Sequence, residues 1–366
     1  MRVLQLGKFF PIFGGVEKVM YDLTVGLGCD MLCASADGKT DMQKLSFDGG
    51  GTLYVVPTLF KVSGTMIAPR MVSWLRNHAG EYDIIDIHHP DPMAGLALRL
   101  SRFKGKVVLH WHSDIIGKGF LHFLYKPIQS WLIHRADRIV GTSPVYVAES
   151  KALENVQGKT CFIPIGVDSM LQEQASVSKL KNTYDGKKLV FSLGRLIPYK
   201  GYVHLVRAAG YLPDDYRVVI GGAGPLKDSL QAEIERLGLD KKVSLAGYIR
   251  DEDLPAWFAA ADVFVLPSVT KNEAFGIVQI EAMSIGTPVV ATKIPGSGVS
   301  WVNEDGVSGL NAEPGNPEAL AKAIIEVTMD DAARKTFCDG AKARFEAMFK
   351  KEMMINKTIE LYEKTS

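Results

Sequence analysis

The sequence is poor in cysteine, in net charge and in long apolar runs, and each shortage excludes a class of protein. Four cysteines in 366 residues are too few and too scattered to form a disulfide framework, so we expect reduced thiols and a cytosolic compartment. A formal net charge of +1 lacks the basic excess typical of nucleic-acid-binding proteins. No run approaches the roughly 20 apolar residues of a membrane-spanning helix, and polar residues interrupt the opening apolar run, which favours a strand over a signal peptide.

The length and periodicity of the chain indicate two α/β domains. At 366 residues the chain exceeds what one hydrophobic core organises. Short β-rich runs alternate with longer helical patterns, which is typical of parallel sheets built from βαβ units. Each half therefore predicts a doubly wound sheet, and the polar stretch 171–188 reads as the link between them. The predicted strands are Val3–Leu6, Met31–Ala34, Tyr54–Val56, Ile84–Ile87, Val107–Leu109, Arg138–Gly141, Thr160–Ile163, Leu189–Leu193, Val218–Ile220, Val243–Leu245, Val263–Leu266 and Val289–Ala291.

The stretch KNEAFGIVQIEAMSIGTP, residues 271–288, joins two carboxylates, Glu273 and Glu281, to an apolar helix. Phe275 and Gly276 open this helix, and a helix N-terminus offers free N–H groups and a positive dipole end to an anion such as phosphate. Glu281 lies among apolar residues, so we expect its carboxylate to be at least partly buried and therefore hydrogen-bonded or paired. Two kinds of partner are open: the hydroxyls of a ligand such as a ribose, or an internal Arg or Lys.

Glycines and histidines follow the predicted strands, at the points where doubly wound sheets bind ligands. Gly14 and Gly15 follow the first strand, and Gly194 and Gly222 follow two strands of the second half. Such glycines let the backbone approach a phosphate or a sugar, or simply make tight strand-to-helix turns. Histidines follow two further strands, at positions His88, His89, His110 and His112. We expect the chemistry to lie in a cleft where the two sheets face one another.

Two cations, Arg195 and Lys200 in the segment GRLIPYKG, straddle a Gly/Pro turn after another predicted strand. A guanidinium fits a phosphate bidentately, and an ammonium adds a mobile point charge. Beside the helix start near Glu273 they would hold a diphosphate and stabilise its departure without a metal. The alternative is that both are solvated surface charges.

His110 and His112 alternate by two in a strand-like run and therefore point to one face. A metal pair is conceivable, but no acidic residue or cysteine joins them at a recognisable spacing. The favoured interpretation is that His112, nearer the strand end, donates or accepts a hydrogen bond with a sugar hydroxyl while the other histidine packs in the interior. We therefore predict no metal site.

Several of these segments together resemble one enzyme family. They are GRLIPYKG, the GGAGP turn, GYIRDEDLPAWFAAADVFVLPS, NEAFGIVQIEAMSIGTPVVAT and IPIGVD, with FGGVEK and HWHSD in the first half. The likeness is to the retaining glycosyltransferases of the GT-B fold, called group 1 or family 4. It implies two Rossmann-like domains, residues 1–170 and 171–349, with a closing helix at about 350–366 that returns to the first.

The resemblance also implies roles for individual residues and a metal-free reaction without a cofactor, the nucleotide sugar being the donor substrate. Arg195 and Lys200 would contact the donor diphosphate, Glu273 the donor sugar and Glu281 the ribose. His112 would bind the sugar near the reacting carbon, and the glycine turns at Gly14, Gly15, Gly194 and Gly222 would lie near the nucleotide sugar. Backbone donors to phosphate or sugar would come from Ala274, Phe275, Gly276 and Ile277.

The expected mechanism is departure of the nucleoside diphosphate with attack by the acceptor hydroxyl on the same face, the leaving phosphate taking the proton. Within the family, the segments QLGKFFPIFGGVEKV and NEAFGIVQIEAM are most similar to those of bacterial transferases of O-antigen and related polysaccharides. The first expectation is therefore mannose transfer from GDP-mannose to a lipid-linked glycan. UDP-glucose, UDP-galactose and UDP-N-acetylhexosamine stay open as donors.

The segment from Arg99 to Arg138 carries eight Lys or Arg against two Asp, a net charge of +6, around the aromatic stretch FLHFLYKPIQSWLIHR. Such a surface would rest on the anionic inner face of the cell membrane. The alternative is that its apolar residues face the core, since Phe120, Phe123, Leu124, Ile128 and Leu132 recur at helical spacing.

Two other functions compete with glycosyl transfer. A sugar-nucleotide epimerase of the same architecture would release free products without an acceptor. A non-catalytic nucleotide-sugar-binding protein would bind a donor tightly without transfer.

Overall fold

The structure is a computed structural model that describes residues 1–12, 14–38, 41–47, 49–62, 64–116, 119–184 and 186–365, without the side chains of residues 120–122. Phe13 of the FGGVEK segment and the side chain of Phe120 therefore lie outside the described part of the chain. The chain divides into two compact units. The first comprises Met1–Gly166 and Lys351–Ser366, and the second comprises Val167–Lys350.

The first unit is built on a mainly parallel sheet of described strands in the order β10-β9-β8-β7-β1-β2-β4-β3, in which only the β3–β4 pair is antiparallel. Its central strands are apolar and buried because helices cover both faces. A separate antiparallel hairpin pairs β5 with β6. The strands are β1 Val3–Phe10, β2 Asp30–Ser35, β3 Gln43–Ser46, β4 Thr52–Val56, β5 Phe60–Val62, β6 Thr65–Ile67, β7 Ile84–His89, β8 Lys106–Trp111, β9 Arg138–Gly141 and β10 Thr160–Phe162.

Two helices of the first unit begin at side-chain caps. The Asp91 side chain accepts a hydrogen bond from the Ala94 N–H, with Pro92 in the first turn, and Ser143 caps the next short helix in the same way. These contacts satisfy amides that have no partner inside a helix. The helices are α1 Gly15–Leu27, α2 Arg70–His78, α3 Pro92–Ser101, α4 Gly119–Arg135 and α5 Pro144–Ala148.

The second unit contains a parallel sheet in the order β13-β12-β11-β14-β15-β16. This is the 3-2-1-4-5-6 order of the dinucleotide-binding fold, in which ligands bind where the strand order reverses. In this unit the reversal lies between β11 and β14. The strands are β11 Lys188–Leu193, β12 Tyr216–Gly221, β13 Val243–Gly247, β14 Val263–Val265, β15 Val289–Thr292 and β16 Gly309–Ala312.

The helices of the second unit include one that the sequence did not predict. The polar stretch 171–188, expected to be a link, contains helix α6, which buries Val177 and packs on α9. Its single apolar anchor gives too weak a periodicity to be recognised in the sequence. The helices are α6 Gln174–Thr183, α7 Tyr202–Ala208, α8 Lys227–Arg236, α9 Leu254–Ala260, α10 Ile277–Ile285, α11 Val299–Val302, α12 Pro317–Val327 and α13 Asp331–Met348.

The last helix, α14 Lys351–Thr365, belongs to the first unit. It follows α13 after a break at Phe349 and Lys350, where the sequence predicted one. Helix α14 packs against α1 at Gly26, where an added Cβ would lie 2.2 Å from Ile355 Cδ1. The two ends of the second unit lie together, because the Val167 N–H donates to the Phe349 carbonyl at 2.9 Å. No helix in the described part of the chain has both the length and the apolar composition needed to cross a bilayer.

Candidate active site

In the second unit, the exit of strand β11 is a glycine turn that makes room for Lys200. Gly194 has φ = +150°, and a Cβ there would meet the Tyr202 hydroxyl at 2.7 Å and Lys200 Cε at 3.5 Å. A 3₁₀ turn, Pro198–Lys200, then leads into α7. Only glycine therefore lets the lysine side chain lie against the strand end.

Lys200 forms a buried ion pair with Glu273. Its Nζ donates to Glu273 Oε2 at 2.6 Å, and the Ser268 hydroxyl donates to the same oxygen at 2.9 Å. The two charged side chains are 11% and 10% exposed, so each depends on the other for compensation of its charge. Glu273 Oε1 accepts no hydrogen bond from the described residues, and an ammonium has three donors. The pair therefore keeps an acceptor and further donors for a ligand.

Helix α10 begins at Gly276, directly after this carboxylate. Gly276 has φ = +75°, and a Cβ there would lie 2.6 Å from Leu266 Cδ2 and 2.7 Å from Gln279 Nε2. Within the described chain, no hydrogen bond is made by the backbone N–H groups of Ala274, Phe275, Gly276 or Ile277. These donors and the helix dipole are available to an anion.

Arg195 and Glu281, two further predicted ligand contacts, are more accessible. Arg195 is exposed, and its guanidinium forms neither an ion pair nor a hydrogen bond with the described side chains. Glu281 is half-buried on α10, in keeping with its expected partial burial. Arg195, Lys200, Glu273 and the α10 start all follow β11 or β14, the two strands that flank the reversal of strand order.

Gly222 is required for packing in its own right. A Cβ there would lie 1.9 Å from the Gly194 carbonyl oxygen, and its N–H donates to the Gly247 carbonyl at 2.7 Å. The turns after β11 and β12 therefore pack backbone against backbone. This explains a glycine at 222 without a ligand, and its predicted contact with the nucleotide sugar stays a prediction.

In the first unit, a carboxylate lies at the start of α1, where Gly14 and Gly15 were predicted to approach a phosphate. A Cβ at Gly14 would be only 2.4 Å from Glu17 Oε2. Carboxylates are favoured at a helix N-terminus because of its positive dipole end. The Glu17 carboxylate therefore lies against the Gly14 turn, and the predicted phosphate contact of Gly14 and Gly15 stays a prediction.

His112 lies at the end of a buried hydrogen-bonded cluster of the first unit. His88 Nδ1 lies 2.8 Å from His112 Nε2, and His88 Nε2 lies 2.7 Å from Gln5 Oε1. The rings of His88, His110 and His112 stack on one another, and the contact of His110 with His112 agrees with the predicted shared face of these two residues. We call this cluster the histidine network; its members are Gln5, Asp86, His88, His110, His112 and Tyr362.

Burial keeps two members of the histidine network neutral. Desolvation is the main cause that lowers the pKa values of His88 and His112 well below their ordinary value, and the nearby His110 is the next largest cause. The His112 Nδ1 atom is buried and makes no hydrogen bond to the described residues. A neutral imidazole with one unpartnered nitrogen is a ready hydrogen-bonding group for a ligand.

An acidic partner for the histidines exists, contrary to the sequence interpretation. Asp86 Oδ1 lies 2.8 Å from His110 Nδ1, and ligand atoms of Asp86, His88 and His110 lie within 4.8 Å of one another. The spacing was unrecognisable because the residues lie on neighbouring strands β7 and β8. The Asp86 oxygens and both His88 nitrogens already make protein hydrogen bonds, so the described arrangement is a hydrogen-bonded network. The expectation of no metal stays a prediction.

Sequence reasoning missed Gln5, Asp86 and Tyr362, and it also missed Lys8. Gln5 and Asp86 are polar residues inside the apolar strands VLQL and IIDI, and both are fully buried, which was a usable signal. Lys8 has φ = +59°, its Nζ donates to the Pro90 carbonyl at 2.6 Å, and its N–H donates to Asp91 Oδ2 at 2.5 Å. Its charge also lowers the pKa of His112.

Two family models match the chain, and between them they cover both units. The model for Glycosyltransferase Family 4 matches residues 13–170, and the model for Glycosyl transferases group 1 matches residues 174–344. The O-antigen chain mannosyltransferase C of Escherichia coli is 31% identical over 99% of this chain and 98% of its own. The chain is a group 1, family 4 glycosyltransferase. The predicted family and enzyme class are thereby confirmed.

Other similar proteins agree on the enzyme class and the fold. The D-rhamnosyltransferase WbpZ of Pseudomonas aeruginosa is 30% identical to the transferase over 95% of this chain and 92% of its own. Among solved structures, Anabaena HepE in complex with UDP gives a TM-score of 0.81 at 23% identity over both full chains. The sucrose-phosphate synthase of Thermosynechococcus elongatus gives 0.80 at 21% identity over 100% of this chain and 99% of its own. The GT-B fold predicted from the resemblance is confirmed.

Proposed function

We propose that the transferase moves mannose, with retention of configuration, from GDP-mannose to a lipid-linked glycan during O-antigen or related polysaccharide assembly. The observation that carries the proposal is the 31% identity over nearly the full length of a protein named O-antigen chain mannosyltransferase C. The name of a second relative, a D-rhamnosyltransferase, supports a manno-configured sugar, because D-rhamnose is 6-deoxymannose.

The proposed donor site lies at the exits of β11 and β14. The N–H groups of residues 274–277 and the positive end of α10 bind the diphosphate, with the accessible Arg195 guanidinium and the remaining Lys200 donors. These groups stabilise the charge that develops on the leaving nucleoside diphosphate. In a reaction without a metal, this stabilisation makes the largest contribution to lowering the activation barrier. Glu281 binds the ribose hydroxyls from α10. The similar fold of Anabaena HepE has been solved in complex with UDP and with UDP-glucose, which supports a nucleotide sugar as the ligand.

Glu273 binds the sugar through its second oxygen. Lys200 and Ser268 hold Oε2, so the carboxylate is fixed with Oε1 available to sugar hydroxyls. In this proposal Glu273, held by Lys200 and Ser268, positions the sugar and forms no covalent bond to it. The acceptor hydroxyl then attacks on the face from which the diphosphate departs, and the leaving phosphate takes its proton.

The purified full chain, lipid-linked acceptors and a panel of GDP- and UDP-sugars test this proposal. We expect transfer from GDP-mannose that is insensitive to EDTA and gives an α-mannoside. Arg195→Ala should lower the transfer rate by about a hundredfold. Arg250→Ala, which removes another exposed arginine of the same unit, is the matched control and should retain the wild-type transfer rate.

Four outcomes would contradict the proposal. Transfer from a UDP-sugar but not from GDP-mannose would refute the proposed donor. A β-linked product would refute retention of configuration. Release of an epimerised nucleotide sugar without acceptor would favour the epimerase. Tight donor binding without transfer to any acceptor would favour the non-catalytic binder.

We also propose that α4 contacts an anionic membrane surface, which would bring the transferase to a lipid-linked acceptor at the inner face. Phe123 and Leu124 on α4 are 70% and 55% exposed, and Lys126 beside them is exposed too. The core-facing alternative holds for Leu132, which is buried, but not for these two. Exposed aromatic and aliphatic side chains beside a cation are typical of interfacial helices.

Sedimentation with anionic phosphatidylglycerol vesicles at low salt tests the membrane contact. We expect the wild-type protein to sediment and the Phe123→Ser/Leu124→Ser variant to lose most of this binding. Leu171→Ser, which removes an 89% exposed leucine of the second unit, is the control and should bind as wild type. Failure of the wild-type protein to sediment would refute the contact.

A further inference from the structure

The histidine network is one continuous path of hydrogen bonds that begins on the last helix. Tyr362 of α14 donates its hydroxyl proton to Asp86 Oδ2 and accepts from Gln5 Nε2 at 2.8 Å. The other end of the Gln5 amide faces His88, and His88 faces His112. All six members are buried, so each proton position depends on the neighbouring groups rather than on water.

The direction of the first hydrogen bonds follows from the chemistry of their groups. A carboxylate oxygen accepts, so the Tyr362 hydroxyl donates its proton to Asp86 Oδ2. Burial raises the pKa of Tyr362 well above its ordinary value, which keeps that proton in place. The phenol oxygen can then only accept from Gln5, and this fixes the amide with its NH₂ group toward Tyr362 and its carbonyl toward His88.

The same reasoning continues from Gln5 to His112. The Gln5 carbonyl only accepts, so His88 Nε2 carries the proton. His88 is neutral because burial lowers its pKa, so its Nδ1 has no proton and accepts. His112 Nε2 must then donate to it, and a neutral His112 has an unprotonated Nδ1. That Nδ1 is the buried atom without a partner among the described residues.

We propose that Tyr362 acts through Gln5 and His88 as a positioning residue that fixes the tautomer of His112, so that His112 presents Nδ1 to the ligand as a hydrogen-bond acceptor. This assigns the direction of one contact: a sugar hydroxyl donates to His112. The use of that acceptor by the donor sugar rests on the proposed function, but the tautomer itself does not. A fixed acceptor lowers the ordering cost of binding because its orientation is set beforehand.

Nitrogen NMR on the full chain with ¹⁵N-labelled histidine, without any substrate, tests the tautomer directly. His112→Asn identifies the resonances among the eight histidines. We expect His112 to show a protonated Nε2 and an unprotonated Nδ1 near pH 7.5. Tyr362→Phe removes the hydroxyl that orients Gln5, so we expect the Nδ1 resonance to move toward its protonated position. Tyr125→Phe also deletes a buried hydroxyl of this unit, one without a described partner, and should leave the resonances unchanged.

Transfer kinetics test the consequence for the reaction. Loss of one oriented hydrogen bond should lower kcat/KM by about tenfold in Tyr362→Phe, and Tyr125→Phe should match the wild type. In a His112→Ala background, Tyr362→Phe should have no further effect if it acts only through His112.

Two results would overturn the inference. One is a protonated Nδ1 on His112 in the wild-type protein. The other is an unchanged His112 spectrum in both Tyr362→Phe and Gln5→Leu, which breaks the path one step nearer to His88 and serves if the first variant does not fold. Detection of the predicted tautomer in a protein that transfers no sugar would uphold the inference and refute only the proposed function.

Discussion

Lys200 and Arg195 were both predicted to bind the donor diphosphate. Because Lys200 is buried in an ion pair and Arg195 is exposed, we expect their removal to have different effects on the stability of the protein. Removal of Lys200 leaves the Glu273 carboxylate buried without its partner, so Lys200→Ala should cost about 3 kcal/mol of unfolding free energy as well as transfer. Arg195 is exposed, so Arg195→Ala should change stability by less than about 0.5 kcal/mol and affect transfer only. Urea denaturation beside the transfer assay separates the two effects.

The double variant Lys200→Met/Glu273→Leu is the control for this interpretation. It removes both charges and fills the space with apolar atoms, so it should regain much of the lost stability while staying inactive. Equal stability of Lys200→Ala and Arg195→Ala would show that the ion pair is not buried in solution.

His88 and His112 predict a dependence of stability on pH. Their pKa values are lower in the folded protein than the ordinary 6.5, so the unfolded chain binds more protons below that pH. Stability should be full above about pH 6.5 and fall by up to about 1.4 kcal/mol per pH unit for each histidine as the pH drops. Urea midpoints between pH 7.5 and 5 measure the slope.

Substitution of these histidines should flatten that slope. His112→Asn removes one titrating group and should therefore reduce the slope. A slope that His112→Asn leaves unaltered would assign the acid loss of stability to other groups.

At the scale of elements, the sequence predicted the buried parallel strands and missed those outside that pattern. Buried strands such as VVI of β12 are short apolar runs that stand out from helices. Strand β3, Gln43–Ser46, is a largely exposed edge strand, and the short β16 carries a glycine and an asparagine, so neither shows the apolar signal. The lysine–glutamate pair joins residues 73 positions apart, and such contacts have no sequence periodicity.

The start and the end of α10 offer a matched test of the helix N-terminus. Gly276 and Gly286 both have positive φ, at +75° and +87°, so alanine is strained at either. At Gly286 the nearest atom to an added Cβ is 3.7 Å away, whereas at Gly276 it is 2.6 Å away. Gly276→Ala should therefore cost more than the roughly 1 to 3 kcal/mol of backbone strain expected for Gly286→Ala.

Only the first of these two changes should alter donor binding. A shifted turn at Gly276 misdirects the amides of residues 274–277, so calorimetric affinity for the nucleoside diphosphate should fall at least about tenfold. Gly286→Ala should bind as the wild type does. Equal affinities in both variants would remove these amides from the donor site.

At the scale of the whole molecule, the two units should differ in autonomy. Residues 167–350 contain one complete sheet and core, and their ends meet at Val167 and Phe349. We expect this fragment to melt cooperatively and to bind nucleoside diphosphate.

Residues 1–166 lack Tyr362, which leaves Gln5 and Asp86 short of a partner. Fusion of 351–366 to that fragment should raise its Tm; an unchanged Tm would mean that α14 contributes no stability.

The placement of α14 has a consequence for biosynthesis. Ribosomes make this helix after the entire second unit, so the proposed proton arrangement around His112 is completed only when translation has passed Tyr362. A nascent or prematurely terminated chain would already contain the proposed donor site of the second unit, yet would lack the helix proposed to orient His112 in the first unit. We therefore expect incomplete products to transfer sugar poorly.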